Sequence, residues 1–180
     1  RNWWKSIMED YARSYDIDGI MWCNERRSPI DNVLAGNAPN CFCPTCRREA
    51  LERGIDVERV IIAFKNFYDV VQRARRGETF VDGALIEILR CIYFNPEILL
   101  WERYWVERNK DMDRELYGIV KWCNSDLEFG LNVWNRNHFN PLRKAQGPWA
   151  EMATWADWVK PITYQHQSGG IYTNEMNMLH

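Results

Sequence analysis

Apolar residues at helical spacing open the chain. Trp3, Ile7, Met8 and Tyr11 share one side of a helix predicted over residues 2–15, which Tyr15-Asp16 ends. The period then changes, and Ile17-Asp18-Gly19-Ile20-Met21-Trp22 reads as a short buried strand. Residues 23–40, rich in Asn, Pro and Gly, read as a loop of the long kind that is usually functional or disordered. A helix is predicted from Pro44 to Glu52 with Gly54 as its stop, and another from a cap at Asp56 to about Arg76. Gly77 to Gly83 is a connection, and Ala84 to Tyr93 is helical again. Asn95-Pro96 starts a long helix to about Trp122, with an apolar stripe at Leu99, Trp105, Met112, Leu116 and Ile119. Its charged stretch Glu107–Asp111 reads as a solvated face. Phe129–Trp134 is the second strand, Asn135–Gly147 a polar loop, Pro148–Trp158 a short helix and Lys160–Tyr164 a third strand, followed by the loop Gln165–Gly170.

Strands separated by helices imply βαβ units and a parallel sheet. The strands are short and largely apolar, as strands covered on both faces are. In such folds chemistry gathers where strands end and loops begin. After the first strand come Asn24 and Glu25, after the second Asn135 and His138, and after the third Gln165 and His166. These hydrogen-bonding and ionisable groups suit a hydroxyl-rich ligand. Glu25 has two readings from the residues alone. Apolar walls can raise a carboxyl's pKa and fit it for general acid work. Equally, it can be a loop carboxylate paired with Arg26 or Arg27.

Net charge is −2, from 23 basic and 25 acidic residues well mixed along the chain, which argues against nucleic acid or a membrane surface as partner. No apolar run approaches the ~18 residues of a membrane helix. Ten tryptophans and eight tyrosines are a heavy aromatic load. Sugar sites use such rings, but the helical spacing of Trp3, Trp4, Trp101, Trp105, Trp155 and Trp158 favours packing. The chain starts with Arg1 inside a predicted helix, and a segment of a larger protein is the expectation.

Six cysteines are too few for a disulfide scaffold, and Cys91 and Cys123 lie in apolar helical stretches as core thiols. Cys41, Cys43 and Cys46 differ. Cys41-Phe42-Cys43-Pro44-Thr45-Cys46 puts three thiols before a helix, the spacing of a zinc knuckle. The bland alternative is three incidental cysteines. Three ligands leave a tetrahedral site one short, and Cys23 is a doubtful fourth. Hydrolytic zinc chemistry ranks below a structural role, because catalytic sites favour histidine or carboxylate ligands and an open position.

A strand ending in Asn24-Glu25, then a loop, then Cys41, Cys43 and Cys46 opening a helix, resembles the clan A glycoside hydrolases. It is nearest to the family 42 β-galactosidases and related bacterial glycosyl hydrolases, and the specific likeness covers residues 17–50. The resemblance implies an α/β fold: part of a (β/α)8 TIM barrel, strands four to six, with a long helical insertion over residues 44–122 between the first two strands. It implies Glu25 as acid/base in a retaining two-carboxylate mechanism, with the nucleophile expected beyond His180. Asn24, Asn135, His138, Gln165 and His166 would hold a carbohydrate substrate, and Cys41, Cys43 and Cys46 a structural zinc whose fourth ligand lies upstream of Arg1. Departures bear on the substrate, since Arg26-Arg27 after the Glu and the helical insertion are not the β-galactosidase pattern. The rival reading is a non-catalytic barrel acting as a carbohydrate- or protein-binding scaffold, and a homo-oligomer is compatible with either. A segment of a barrel should also leave some of Ile20, Trp22, Leu131, Val133 and Ile162 facing an unfilled interior.

Overall fold

Ser28 and Asp56 each begin a helix by the same device. Their side-chain oxygens accept from backbone N–H groups of the first turn, Asp31 N for Ser28 and Glu58 and Arg59 N for Asp56. Gly54 and Gly77, at φ 75° and 76°, take the left-handed conformation that ends a helix. These local signals set out the chain in a computed structural model, which describes residues 2–23, 27–39, 41–133, 145–147 and 149–161. In order come α1 (Asn2–Ser14), β1 (Gly19–Cys23), α2 (Pro29–Leu34), α3 (Pro44–Glu52), α4 (Val57–Arg75), α5 (Ala84–Phe94), α6 (Glu97–Cys123), β2 (Glu128–Val133), α7 (Trp149–Met152) and β3 (Trp158–Pro161). Among the described residues no helix is long and apolar enough to cross a membrane.

Contacts divide the chain into two units, one of Arg1–Glu25 with Asn109–His180 and one of Arg26–Arg108. The first holds the sheet. Its strands run parallel in the order β1-β2-β3, as helix–strand alternation leads one to expect. Ile20 pairs with Phe129 and Trp22 with Leu131. These four and Val133 are buried in one core with Met8 and Ala12 of α1 and Leu116 and Val120 of α6. The strand period of two therefore delivers one apolar face to the helices. Central β2 is the most buried strand, whereas β1 alternates and leaves Gly19 and Met21 exposed. Coverage of both faces is thus not met in β1. Trp158 lies over Gly130, where any Cβ would fall 2.1 Å from the indole.

The expected partial (β/α)8 TIM barrel is overturned. The described residues hold seven helices and one open three-stranded sheet. Alternating helices and strands dictate parallel pairing, but closure depends on strand number and stagger, and a barrel takes about eight strands. Nor do Ile20, Trp22, Leu131 and Val133 face an unfilled interior, because all four are buried. Ile162 lies outside the described residues.

The second unit is helical. Phe64, Phe67, Val60 and Val71 of α4 meet Ile30 and Val33 of α2, Cys46 and Ala50 of α3, and Ile98, Trp101 and Tyr104 of α6. Full burial of each large apolar side chain contributes about 1.5–3 kcal/mol. Phe42 stacks on Trp101 with ring centroids 4.8 Å apart. Three local expectations are corrected. The loop 23–40 contains α2, the helix placed at Pro148–Trp158 stops at Met152, and Trp158 belongs to β3. In α6 the buried positions are Ile98, Trp101, Glu102, Tyr104, Leu116 and Val120, so of the expected stripe Leu116 is buried while Leu99 is exposed. α5 buries no residue, and Leu85, Leu89, Tyr93 and Phe94 lie open to solvent.

A candidate metal centre

Pro44 sets the knuckle. It occupies the first turn of α3, where its missing N–H costs nothing, and Cys43 takes the N-cap position in extended conformation. The chain therefore turns sharply at Cys43, and Cys46 follows one helical turn later. Cys41 precedes in open chain, exposed, while Cys43 is partly covered and Cys46 is buried. The three Sγ atoms lie within 4.8 Å of one another, and those of Cys43 and Cys46 are 3.6 Å apart. Sulfurs bound to one tetrahedral ion at about 2.3 Å stand slightly under 4 Å from each other, so the cluster could hold a metal ion with little movement. Among the described residues no fourth ligand joins these three.

The surroundings hold the knuckle from both sides. Arg47 donates through Nε to the Phe42 carbonyl at 2.9 Å and through Nη1 to Glu58 at 2.7 Å. Arg108 of α6 donates through Nη1 to Cys46 Sγ at 3.1 Å, and its Nε meets Glu49 at 2.7 Å. The Tyr104 hydroxyl donates to the Cys46 carbonyl at 3.2 Å, and burial pushes its pKa up to about 12, keeping it a neutral donor. Three thiolates around a dication leave one net negative charge, and the Arg108 guanidinium is placed to offset it.

The thiols are unequal. The Cys46 amide at the open first turn, then the thiols of Cys41 and Cys46, hold Cys43 below the ordinary thiol value. Burial pushes Cys46 up, reinforced by the Cys43 thiol and opposed by Arg108. Of this pair Cys43 therefore gives up its proton the more readily, and a cation binding here would draw off the protons that remain.

Compared with known protein families, with characterised proteins and with solved structures, the chain gives no match. The cluster's chemistry therefore stands on its own geometry. Asn24, Glu25, Asn135, His138, Gln165 and His166 lie outside the described residues. Cys23 is described. It ends β1, and Asn132 Nδ2 donates to its sulfur at 3.3 Å. Sequence reasoning missed Arg108, Glu49 and Tyr104. The solvated-face reading of Glu107–Asp111 fails at Arg108, whose side chain is 30% exposed and turned onto Cys46. A separation of 62 residues hides that pair from any local pattern.

Proposed function

We propose that Cys41, Cys43 and Cys46 bind Zn(II) in a structural role, and that the chain belongs to a carbohydrate-cleaving hydrolase with Glu25 as acid/base. The convergence of the three sulfurs within 4.8 Å supports the metal reading. Thiolate ligands favour zinc over hard cations. A metal there ties the Cys41 segment to α3 and stabilises the folded unit by mass action. The hydrolase reading rests on the Asn24-Glu25 and Cys41-x-Cys43-x-x-Cys46 run and on parallel strands whose carboxyl ends share one edge, with Asn24 directly after Cys23. In a retaining mechanism Glu25 protonates the leaving oxygen, then removes a proton from water, with a second carboxylate about 5.5 Å away as nucleophile. Asn24, Asn135, His138, Gln165 and His166 would bind sugar hydroxyls.

Two measurements test this. Native mass spectrometry of the purified protein should show one zinc per chain, lost in Cys43→Ser. No zinc after incubation with excess Zn(II) refutes the metal reading. Assayed in a polypeptide that also carries the nucleophilic carboxylate, a panel of nitrophenyl glycosides should reveal a hydrolysed sugar, with kcat lowered at least a hundredfold in Glu25→Gln; this segment alone is expected to be inactive. An unchanged rate in that variant removes Glu25 from the mechanism. The second reading is a non-catalytic scaffold binding carbohydrate or protein, and the exposed apolar side of α5 favours it.

A further inference from the structure

We propose that Cys43 and Cys46 close a reversible disulfide in competition with the metal, so that hydroperoxides release the ion from this centre. The inference rests on the metal reading above. It starts from distance, since the two sulfurs are already 3.6 Å apart. Bond formation at about 2.05 Å calls for side-chain rotation and a small backbone adjustment. Cys43 and Cys46 stand one turn apart at the start of α3, the placement of a Cys-x-x-Cys pair able to open and close. Cys41-x-Cys43 has only one intervening residue in open chain, a tighter ring with poorer geometry.

Access divides the labour. Cys43 is partly exposed, while Cys46 is 5% exposed and beneath Arg108. Of this pair an oxidant in solution therefore meets Cys43 first, and Cys46 reacts through Cys43. The Cys43 thiolate attacks the O–O bond of a hydroperoxide. An S–O bond forms, O–O breaks, and the leaving oxygen departs as water or alcohol after taking a proton. The Cys46 sulfur then attacks the Cys43 sulfenic acid. S–S forms, S–O breaks, and hydroxide leaves as water, taking the Cys46 proton in the metal-free chain or one from solvent where zinc held Cys46 as the thiolate. Two thiols lose two electrons and the peroxide gains them. The ion keeps Cys41 alone of the three, and one thiolate does not hold it against solvent.

The test uses the intact chain loaded with one Zn(II). Hydrogen peroxide is added in steps, and released metal is read with a chromophoric chelator. Expected are zinc release in step with a mass loss of about 2 Da, one iodoacetamide-reactive thiol within the knuckle at Cys41, and recovery of metal binding after dithiothreitol. Cys41→Ser should bind zinc more weakly yet still lose about 2 Da when stripped of metal and oxidised. Release accompanied by sulfinic acid at Cys43, or a bridge that includes Cys41, overturns the proposal. So does metal retained while Cys43 and Cys46 are bridged. A chain that never binds zinc refutes the underlying metal reading instead, and is recognised before any peroxide is added.

Discussion

Replacing Asp113 with Asn should stabilise the protein at pH 8 and leave it nearly unchanged at pH 4. Asp113 of α6 turns its carboxyl inward, where Trp22 Nε1 donates to it at 2.9 Å. Burial lifts its pKa from the ordinary 3.8 to about 7, against the opposing effects of the Trp22 hydrogen bond and the Arg114 charge. The folded chain therefore holds this proton more tightly than the unfolded chain. The stability linked to it is complete below about pH 4, falls as the pH rises, and is gone above about pH 7. A three-unit shift corresponds to about 4 kcal/mol. Asp113 keeps partial solvent access, and halving for screening leaves about 2 kcal/mol. Asn cannot ionise but keeps the oxygen that accepts from Trp22. With an m-value of about 2 kcal/mol per M, the urea midpoint of Asp113→Asn should rise by about 1 M at pH 8 and by under about 0.3 M at pH 4. A midpoint difference independent of pH, or a variant less stable at pH 8, refutes the reasoning.

Arg108→Met should weaken zinc binding about tenfold while the fold persists, measured by competition with a chromophoric chelator, because the guanidinium beside Cys46 Sγ no longer offsets the thiolate charge. Equal affinity in the variant removes Arg108 from the centre. Gly130→Ala should cost about 1–3 kcal/mol by thermal melting, since its Cβ would meet the Trp158 ring. The same substitution beside Trp158→Ala should cost under about 0.5 kcal/mol, and an undiminished loss there locates the strain elsewhere.

Helix ends were the most legible part of the sequence because their causes are local. Asp56, Gly54 and Pro96 act within one turn, and α3, α4 and α5 fall within a residue or so of the expected bounds. Ser28-Pro29-Ile30-Asp31 carried the same kind of signal, an N-cap followed by proline, but the surrounding Asn, Pro and Gly masked α2. The start of β3 depends on a distant partner. Asp157 N donates to the Phe129 carbonyl at 2.9 Å, and Asp157 Oδ2 accepts from Phe129 N at 2.7 Å. Those bonds carry the chain into the sheet at Trp158, where apolar helical spacing suggested a longer helix. Sheet closure was illegible for a similar reason, since curvature is a property of the assembled strands. In the candidate centre the sulfurs could be read from spacing. The groups that tune them, Arg108, Tyr104 and Glu49, come together only in the tertiary fold.

The bare side of α5 has a colloidal consequence. Leu85, Leu89, Tyr93 and Phe94 are each more than half exposed, giving a short-range attraction between molecules that burial elsewhere does not cancel. Opposing it is only the repulsion of two net charges, with an isoelectric point near 6.0. Any attraction between copies through this side of α5 would therefore be set against a weak repulsion that the pH and ionic strength of the solvent tune.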